Sequence, residues 1–457
     1  MKLIITSLLI LLSWRVQAQP ANPAPRSTVL DGYIRLGLAN NLTLRQESLD
    51  VSRVQEVVNQ ARSAFYPRLA FNPTYSLAAG GRRLEFPVGD LLNPAYRTLN
   101  QLTGSDRFPT NIPNVNQLLA PNDFHDTKFT VQYALFNTDI QYNYLIQQQL
   151  LSAQEARRRV VENEIRYAIS TAYYQYLQTL DAQQLLDNGR RVLSELARLN
   201  EKLVSNNVAT RETVTSARYE LSKVDQQLAM ATKNRESARA YLNVLLNRDL
   251  QTPVEVDSML TRVLPESAAT LDALQETALH DRQELSQLTS SLRAAQTAVR
   301  LNEANARIPN LYIGGNAGFQ GFGYTFSNQA YVVAQVGLQW DLFRGFEKRS
   351  KIQQAKIQTE QIQTRMSDVQ QQIRLQVVQA YYDLQAANQS LLATQQGVVN
   401  ADQTFRVIDS KYRNGQALLI EYLRFQNDRL TAQLQQSLAR TDVLVKRAAL
   451  DRALAVD

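Results

Sequence analysis

The chain has 457 residues, a formal charge of +7, two histidines and no cysteine. Its length allows a large fold or several domains, and the lack of cysteine excludes a small disulfide-stapled scaffold. Its basic clusters, such as Arg157-Arg158-Arg159, lie beside Glu155, Glu162 and Glu164; this mixed-sign pattern belongs to solvated helix faces, so nucleic acid is not an expected partner.

Residues 1–18 have the layout of an export signal. Lys2 is followed by the apolar run Leu3 to Leu12 and by the cleavage-like Val16-Gln17-Ala18. That run is well short of the roughly 20 residues a spanning helix needs. No cysteine follows it to accept a lipid. A proline-rich tail occupies 19–27, and an amphipathic helix is expected over 29–65, closed by Pro67. Alternation then predicts strands at 69–79 and 128–136, joined by an irregular loop at 80–127 that contains Pro87, Pro94, Pro109, Pro113 and Pro121. A long helix over 138–204, a turn at Ser205-Asn206-Asn207 and a returning helix over 208–248 complete a first repeat, 28–248.

After a linker at 249–269 the same order recurs in a second repeat, 270–457. It comprises a helix over 270–307, strands at 311–323 and 331–343, a helix over 346–412, a turn at Arg413-Asn414-Gly415 and a helix over 416–455. Leu30-Asp31 returns as Leu271-Asp272, Tyr66-Pro67 as Ile308-Pro309, and Ala172-Tyr173-Tyr174 as Ala380-Tyr381-Tyr382. The spacing falls from about 241 to about 208 residues across the loop at 80–127, which makes that loop an insertion in the first copy.

The strands show one apolar and one polar face. Phe129, Val131 and Tyr133 alternate with Lys128, Thr130 and Gln132, and Val336, Leu338 and Trp340 alternate with Gln335, Gln339 and Asp341. This fits a membrane barrel with a wet lumen, and equally the half-buried sheet of a soluble sandwich. In the second long helix Ile362, Met366, Val369, Ile373, Val377, Ala380, Leu384, Ala387 and Leu391 step by threes and fours, as in a coiled coil. Such a helix would rise roughly 100 Å at about 1.5 Å per residue, nearly the sum of the two shorter helices of its repeat, so one long column can lie beside two stacked short ones. Four strands cannot close a barrel, and open edges are not tolerated in hydrocarbon. Eight strands leave an interior nearly filled by side chains, whereas twelve, from three chains, leave a passage.

In these residues the chain resembles the TolC-type family of outer-membrane efflux proteins, in its unlipidated branch, over nearly all of the mature sequence. The carriers are Gln339-Trp340-Asp341-Leu342-Phe343-Arg344-Gly345, Ala380-Tyr381-Tyr382-Asp383-Leu384, Lys411-Tyr412-Arg413-Asn414-Gly415-Gln416 with Glu421, and Arg282-Gln283-Glu284-Leu285 through Ile308-Pro309. The resemblance implies a mixed, predominantly α fold: a homotrimer with a twelve-stranded β-barrel in the outer membrane, continued by a long periplasmic α-helical barrel, two structural repeats per chain. It implies a passive, non-enzymatic exit duct of a tripartite efflux or type I secretion system. Its partners would be a periplasmic adaptor (membrane fusion) protein, an inner-membrane efflux pump or ABC exporter, and outer-membrane lipid, with no cofactor.

It further implies a gate at the helical tips. Glu421 matches an inward carboxylate, and three-fold symmetry would make it a ring that attracts cations. Arg424 stands where the family often has a second acid. Tyr412 and Arg413 match positions near latch contacts. Asn206, Asn207, Val208 and Ala209 in the first copy, with Asn414, Gly415 and Gln416 in the second, are candidate adaptor contacts. Phe129, Val131, Tyr133, Val336, Leu338 and Trp340 would face lipid. Gly318, Gly321 and Gly323 sit within a strand pattern and do not form a phosphate loop. His125 and His280 are the only histidines and fall in different predicted elements; with no cysteine and no paired ligand spacing they suggest neither a metal site nor a triad. The rival reading from another class is a pore-less periplasmic coiled-coil scaffold.

Overall fold

The computed structural model describes residues 27–120, 122–257 and 270–455. The signal at 1–18, the tail up to residue 26 and linker residues 258–269 lie outside the described residues. Among the described residues fifteen elements follow in order. The helices are α1 (Thr28–Asn40), α2 (Leu42–Ser63), α3 (Val88–Thr103), α4 (Thr138–Ser205), α5 (Arg211–Leu245), α6 (Leu271–Asp281), α7 (Gln283–Arg307), α8 (Glu347–Arg413) and α9 (Leu419–Leu454). The strands are β1 (Arg68–Ser76), β2 (Arg83–Phe86), β3 (Val115–Leu118), β4 (Phe124–Phe136), β5 (Asn310–Phe322) and β6 (Ala330–Gln339). The chain divides into a unit built from 1–50, 155–287 and 366–457, and a second built from 51–154 and 288–365.

Among the described residues of the first unit the regular elements are helices, with three apolar clusters. In the first repeat, Leu30 and Tyr33 of α1 and Leu242 and Leu246 at the end of α5 close over Ile165, Ile169 and Tyr173 of α4. In the second, Leu274 and Ala278 of α6 and Val443 and Leu450 of α9 close over Ile373, Val377 and Leu384 of α8. The third joins the repeats: Leu193, Leu196 and Ala217 of the first hairpin pack with Phe405, Tyr422 and Leu430 of the second. The threes-and-fours stripe is therefore a packing seam, with Ile373, Val377, Leu384, Ala387 and Leu391 all buried.

The helix expected over 29–65 is two helices, and so is its counterpart over 270–307. Asn41 and Arg282 interrupt them with extended backbone, at ψ 127° and ψ 121°. Each break residue holds the last turn of the returning helix. The Asn41 side-chain amide donates to the Leu245 carbonyl (3.1 Å) while its oxygen caps α2 through the Thr43 amide (2.9 Å). Arg282 donates to the equivalent carbonyl of Ala453 (3.2 Å) and to both oxygens of Glu284 (2.6 and 2.9 Å). Tyr33 and Tyr173 then anchor the start of the interrepeat linker: the Tyr33 hydroxyl accepts from the Glu255 amide (2.8 Å), and the Tyr173 hydroxyl accepts from the Asp257 amide (3.0 Å).

The second unit carries a four-stranded antiparallel sheet in the order β1-β4-β5-β6. α2, α4, α7 and α8 join it at one end of the strands, and the β1–β4 connection, which contains α3, and the β5–β6 connection lie at the other. Gly318 lets β4 and β5 approach closely, because a Cβ there would sit 2.2 Å from the Thr127 carbonyl oxygen. The strand expected over 331–343 stops at Gln339, so Trp340 and Leu342 lie beyond it. The insertion is not irregular either: β2 and β3 pair, α3 fills the space between them in sequence, and β4 begins at Phe124.

Candidate functional site

The two hairpin ends of the first unit have the same construction. After α4, the Val208 amide donates to the Leu203 carbonyl (2.8 Å) and Asn207 to Val204 (3.0 Å). After α8, Gln416 donates to Lys411 (2.8 Å) and Gly415 to Tyr412 (3.0 Å). Both are Schellman closures, and they require a left-handed residue at the turn, supplied by Asn207 (φ 62°) and Gly415 (φ 75°). Each is followed by an extended residue, Thr210 or Leu418, from which the returning helix starts. Asn206, Asn207 and Val208 are exposed in the first turn and Asn414, Gly415 and Gln416 in the second, with Ala209 half-buried.

Glu421 is exposed, and its carboxylate accepts the Leu418 amide at 2.9 Å. This is one half of a capping box; Leu418 has no side-chain acceptor to complete the other. The acid is therefore fixed at the positive end of α9, its other oxygen available to solvent. Arg424 is exposed and stands 3.9 Å from Asp428, one turn along the same helix.

Beneath the turns lies a polar network that the sequence reading missed. Asn200 is fully buried; its oxygen accepts from the Tyr412 hydroxyl (2.6 Å) and its amide donates to the Leu196 carbonyl (3.0 Å). The Tyr412 ring lies 5.1 Å from that of Tyr422, which in turn lies 5.3 Å from Phe405. Arg413 donates to Asp409 at 3.0 Å. Tyr412 thus helps to hold the second tip onto the first, whereas the Arg413–Asp409 pair lies within α8. The available sequence signal was position: Asn200 continues the stripe of Leu193 and Leu196, and Tyr422 opens the stripe continued by Gln426 and Leu430.

A cleft of about 610 Å³ runs between α4 and the α8–α9 hairpin, where Arg191, Arg198, Lys202, Arg413 and Arg429 outnumber Glu195 and Asp409. Burial pushes the Tyr422 hydroxyl up to about 12, with the Asp409 charge acting in the same direction. Burial likewise lifts Tyr173 to about 12. Both groups are neutral in the fold and ionise near 10 when unfolded, so their contribution is complete below pH 10 and is lost as pH rises toward 12. Thermal melts are expected to fall steeply across that window, with a smaller fall in the Tyr422→Phe variant. An unchanged alkaline slope in that variant would contradict the assignment.

The sheet carries the other half of the site. Cross-strand register puts Phe71, Phe129, Ala317 and Val332 in one row, and Leu69, Val131, Gly315 and Ala334 in the next row of the same face. Tyr133, Ile313 and Val336, then Leu311 and Leu338, extend that face toward the helices. The opposite face carries Asn72, Lys128, Thr130, Asn316, Gln132 and Gln335. The apolar face is uncovered: Phe129 is 52% exposed, Val336 67% and Leu338 62%. Trp340, just past β6, is 50% exposed. Among the described residues neither β1 nor β6 has a second neighbour. Among the described residues no helix is long and apolar enough to cross a membrane.

Residues 274–456 match the family described as Outer membrane efflux protein. Outer membrane efflux protein BepC of Brucella suis biovar 1 is 25% identical over 445 residues, covering 93% of this chain and 85% of that protein. Two solved structures share the fold. The outer membrane protein VceC of Vibrio cholerae has a TM-score of 0.72 at 16% identity, over 93% of this chain and 95% of its own. The open-state MtrE outer membrane channel of Neisseria gonorrhoeae has a TM-score of 0.74 at 16% identity, over 93% and 88%.

Proposed function

We propose that this chain, whose residues 274–456 match the outer membrane efflux protein family, is a member of that family and acts as a passive exit duct formed by three copies and gated at the paired helical tips. The observation that carries this reading is the sheet: four strands, two open edges, one face apolar and largely exposed except at His125 and Thr127 near its far end, the other mainly polar. An open edge in lipid leaves backbone groups unpaired, so β1 of one copy must pair with β6 of the next. Twelve strands then enclose a wet passage lined by the polar face. A pore-less scaffold would have no use for an exposed row such as Phe129, Val336 and Leu338.

The helical unit supports the gate. Three copies bring the second tips around one axis, with Glu421 held at the start of each α9. Opening requires the second hairpin to move off the first, and the contacts that resist this are Tyr412 to Asn200 and the packing of Leu193, Leu196 and Ala217 with Phe405, Tyr422 and Leu430. The exposed turn residues Asn206 to Val208 and Asn414 to Gln416, with the half-buried Ala209, suit a periplasmic adaptor that links the duct to an inner-membrane pump or ABC exporter. The duct performs no chemistry; the pump supplies the energy and the choice of substrate.

In planar bilayers the purified protein is expected to give a long-lived conductance, and Glu421→Ala is expected to weaken cation preference severalfold by removing one carboxylate per copy. No conductance from folded, membrane-inserted protein would refute the duct. An unchanged reversal potential would return Glu421 to a helix-capping role alone.

A further inference from the structure

The insertion between β1 and β4 is built inside out. In α3, Leu91, Leu92, Ala95, Tyr96, Leu99 and Leu102 fall on one arc at about 100° per residue. In a soluble subdomain that arc would be buried. Here it faces outward, with Leu91 63%, Leu92 36%, Leu99 39% and Leu102 78% exposed. The polar side of the helix is the one attached to the rest of the insertion. Asn93 exchanges two hydrogen bonds with the backbone of Ile112 (both 2.9 Å), and Asn100 does the same with Phe108 (2.9 and 3.0 Å). Asn114 accepts from the Asp90 amide (3.0 Å) and donates to its carboxylate (2.9 Å). With its polar side occupied by neighbouring backbone, α3 cannot roll over to hide its leucines.

Two observations indicate what covers them. First, the insertion continues directly from the apolar side of the sheet. Leu77, just past β1, is 76% exposed. At this same end Tyr75, Tyr324 and Phe326 gather, with ring centroids 6.0 and 5.4 Å apart. Aromatic belts mark the level where hydrocarbon gives way to headgroups. Second, Arg82, Arg83, Arg97 and Arg107 stand exposed on the insertion, as basic residues do around an interfacial amphipathic helix. We infer that α3 is an interfacial anchor: its leucine arc lies among the acyl chains of the outer leaflet, and the arginines reach the phosphates of lipid headgroups. The inference rests on the reading of the sheet as a barrel wall.

The chain has no cysteine, so the full-length variants L92C, L99C, Q101C and V336C can each carry one nitroxide label. They would be reconstituted into vesicles of phosphatidylcholine mixed with phosphatidylglycerol and probed with oxygen and a water-soluble nickel chelate. Labels at 92 and 99 are expected to collide preferentially with oxygen, as at 336, and the label at 101 with nickel. Oxygen preference at 336 but nickel access at 99 would overturn the anchor and leave the barrel standing. Strong spin–spin broadening at 99, with neither reagent gaining access, would assign the leucine arc to a second copy of the chain and also overturn it. Nickel access at 336 would remove the barrel reading, and the anchor with it.

Discussion

A single arginine on the apolar face of the sheet, Val336→Arg, is expected to abolish outer-membrane assembly, whereas Gln335→Arg, one residue away on the opposite face, should assemble normally and change conductance. Val336 is 67% exposed in one copy and lies in the row of Tyr133 and Ile313. An arginine facing lipid costs about 2–4 kcal/mol at mid-bilayer, and a trimer would incur it three times. A charge on the wet face meets water instead. Membrane fractionation of the two variants checks the contrast. Equal assembly of both would mean that the exposed row is not the lipid face.

The second large effect is expected at the helix break of the second repeat. Arg282 is 8% exposed and is held by Glu284, Gln376 and the Ala453 carbonyl. Replacing it with Met leaves the half-buried Glu284 without its cation and the Ala453 carbonyl without its donor, a change that costs about 1–3 kcal/mol. The melting temperature of R282M should fall markedly, and R282M/E284L should recover much of the loss because the unpaired charge is gone as well. In the first repeat the same position is the neutral Asn41, where Asn41→Ala should cost only the cap and one side-chain bond, about 1–2 kcal/mol. A double variant no better than R282M would mean that the carbonyl contact, not the charge, holds the joint.

The contrast between these two joints explains what the sequence could not convey. Periodicity located the long helices within a few residues of their ends, because α4 and α8 bury continuous stripes whose spacing is written in the chain. The breaks at Asn41 and Arg282 carry neither proline nor glycine; they exist because a third element, the end of α5 or α9, offers a carbonyl to be held. That is tertiary information. The insertion differs from expectation for the opposite reason: its prolines suggested an irregular loop, yet Pro87 sits at the start of α3 and asparagine–backbone pairs replace an apolar core. At the tips, Asn207 and Gly415 could be placed from their backbone preference alone. Asn200 could not, since a lone amide among charged neighbours looks like surface until Tyr412 is seen bonded to it.

Everything proposed for the membrane end follows from a wall that one polypeptide leaves unfinished. The native mass of the protein extracted from outer membranes tests this most directly. Three copies held together without added partner is the expected result; a stable single copy whose β1 and β6 edges are satisfied within its own fold would contradict it.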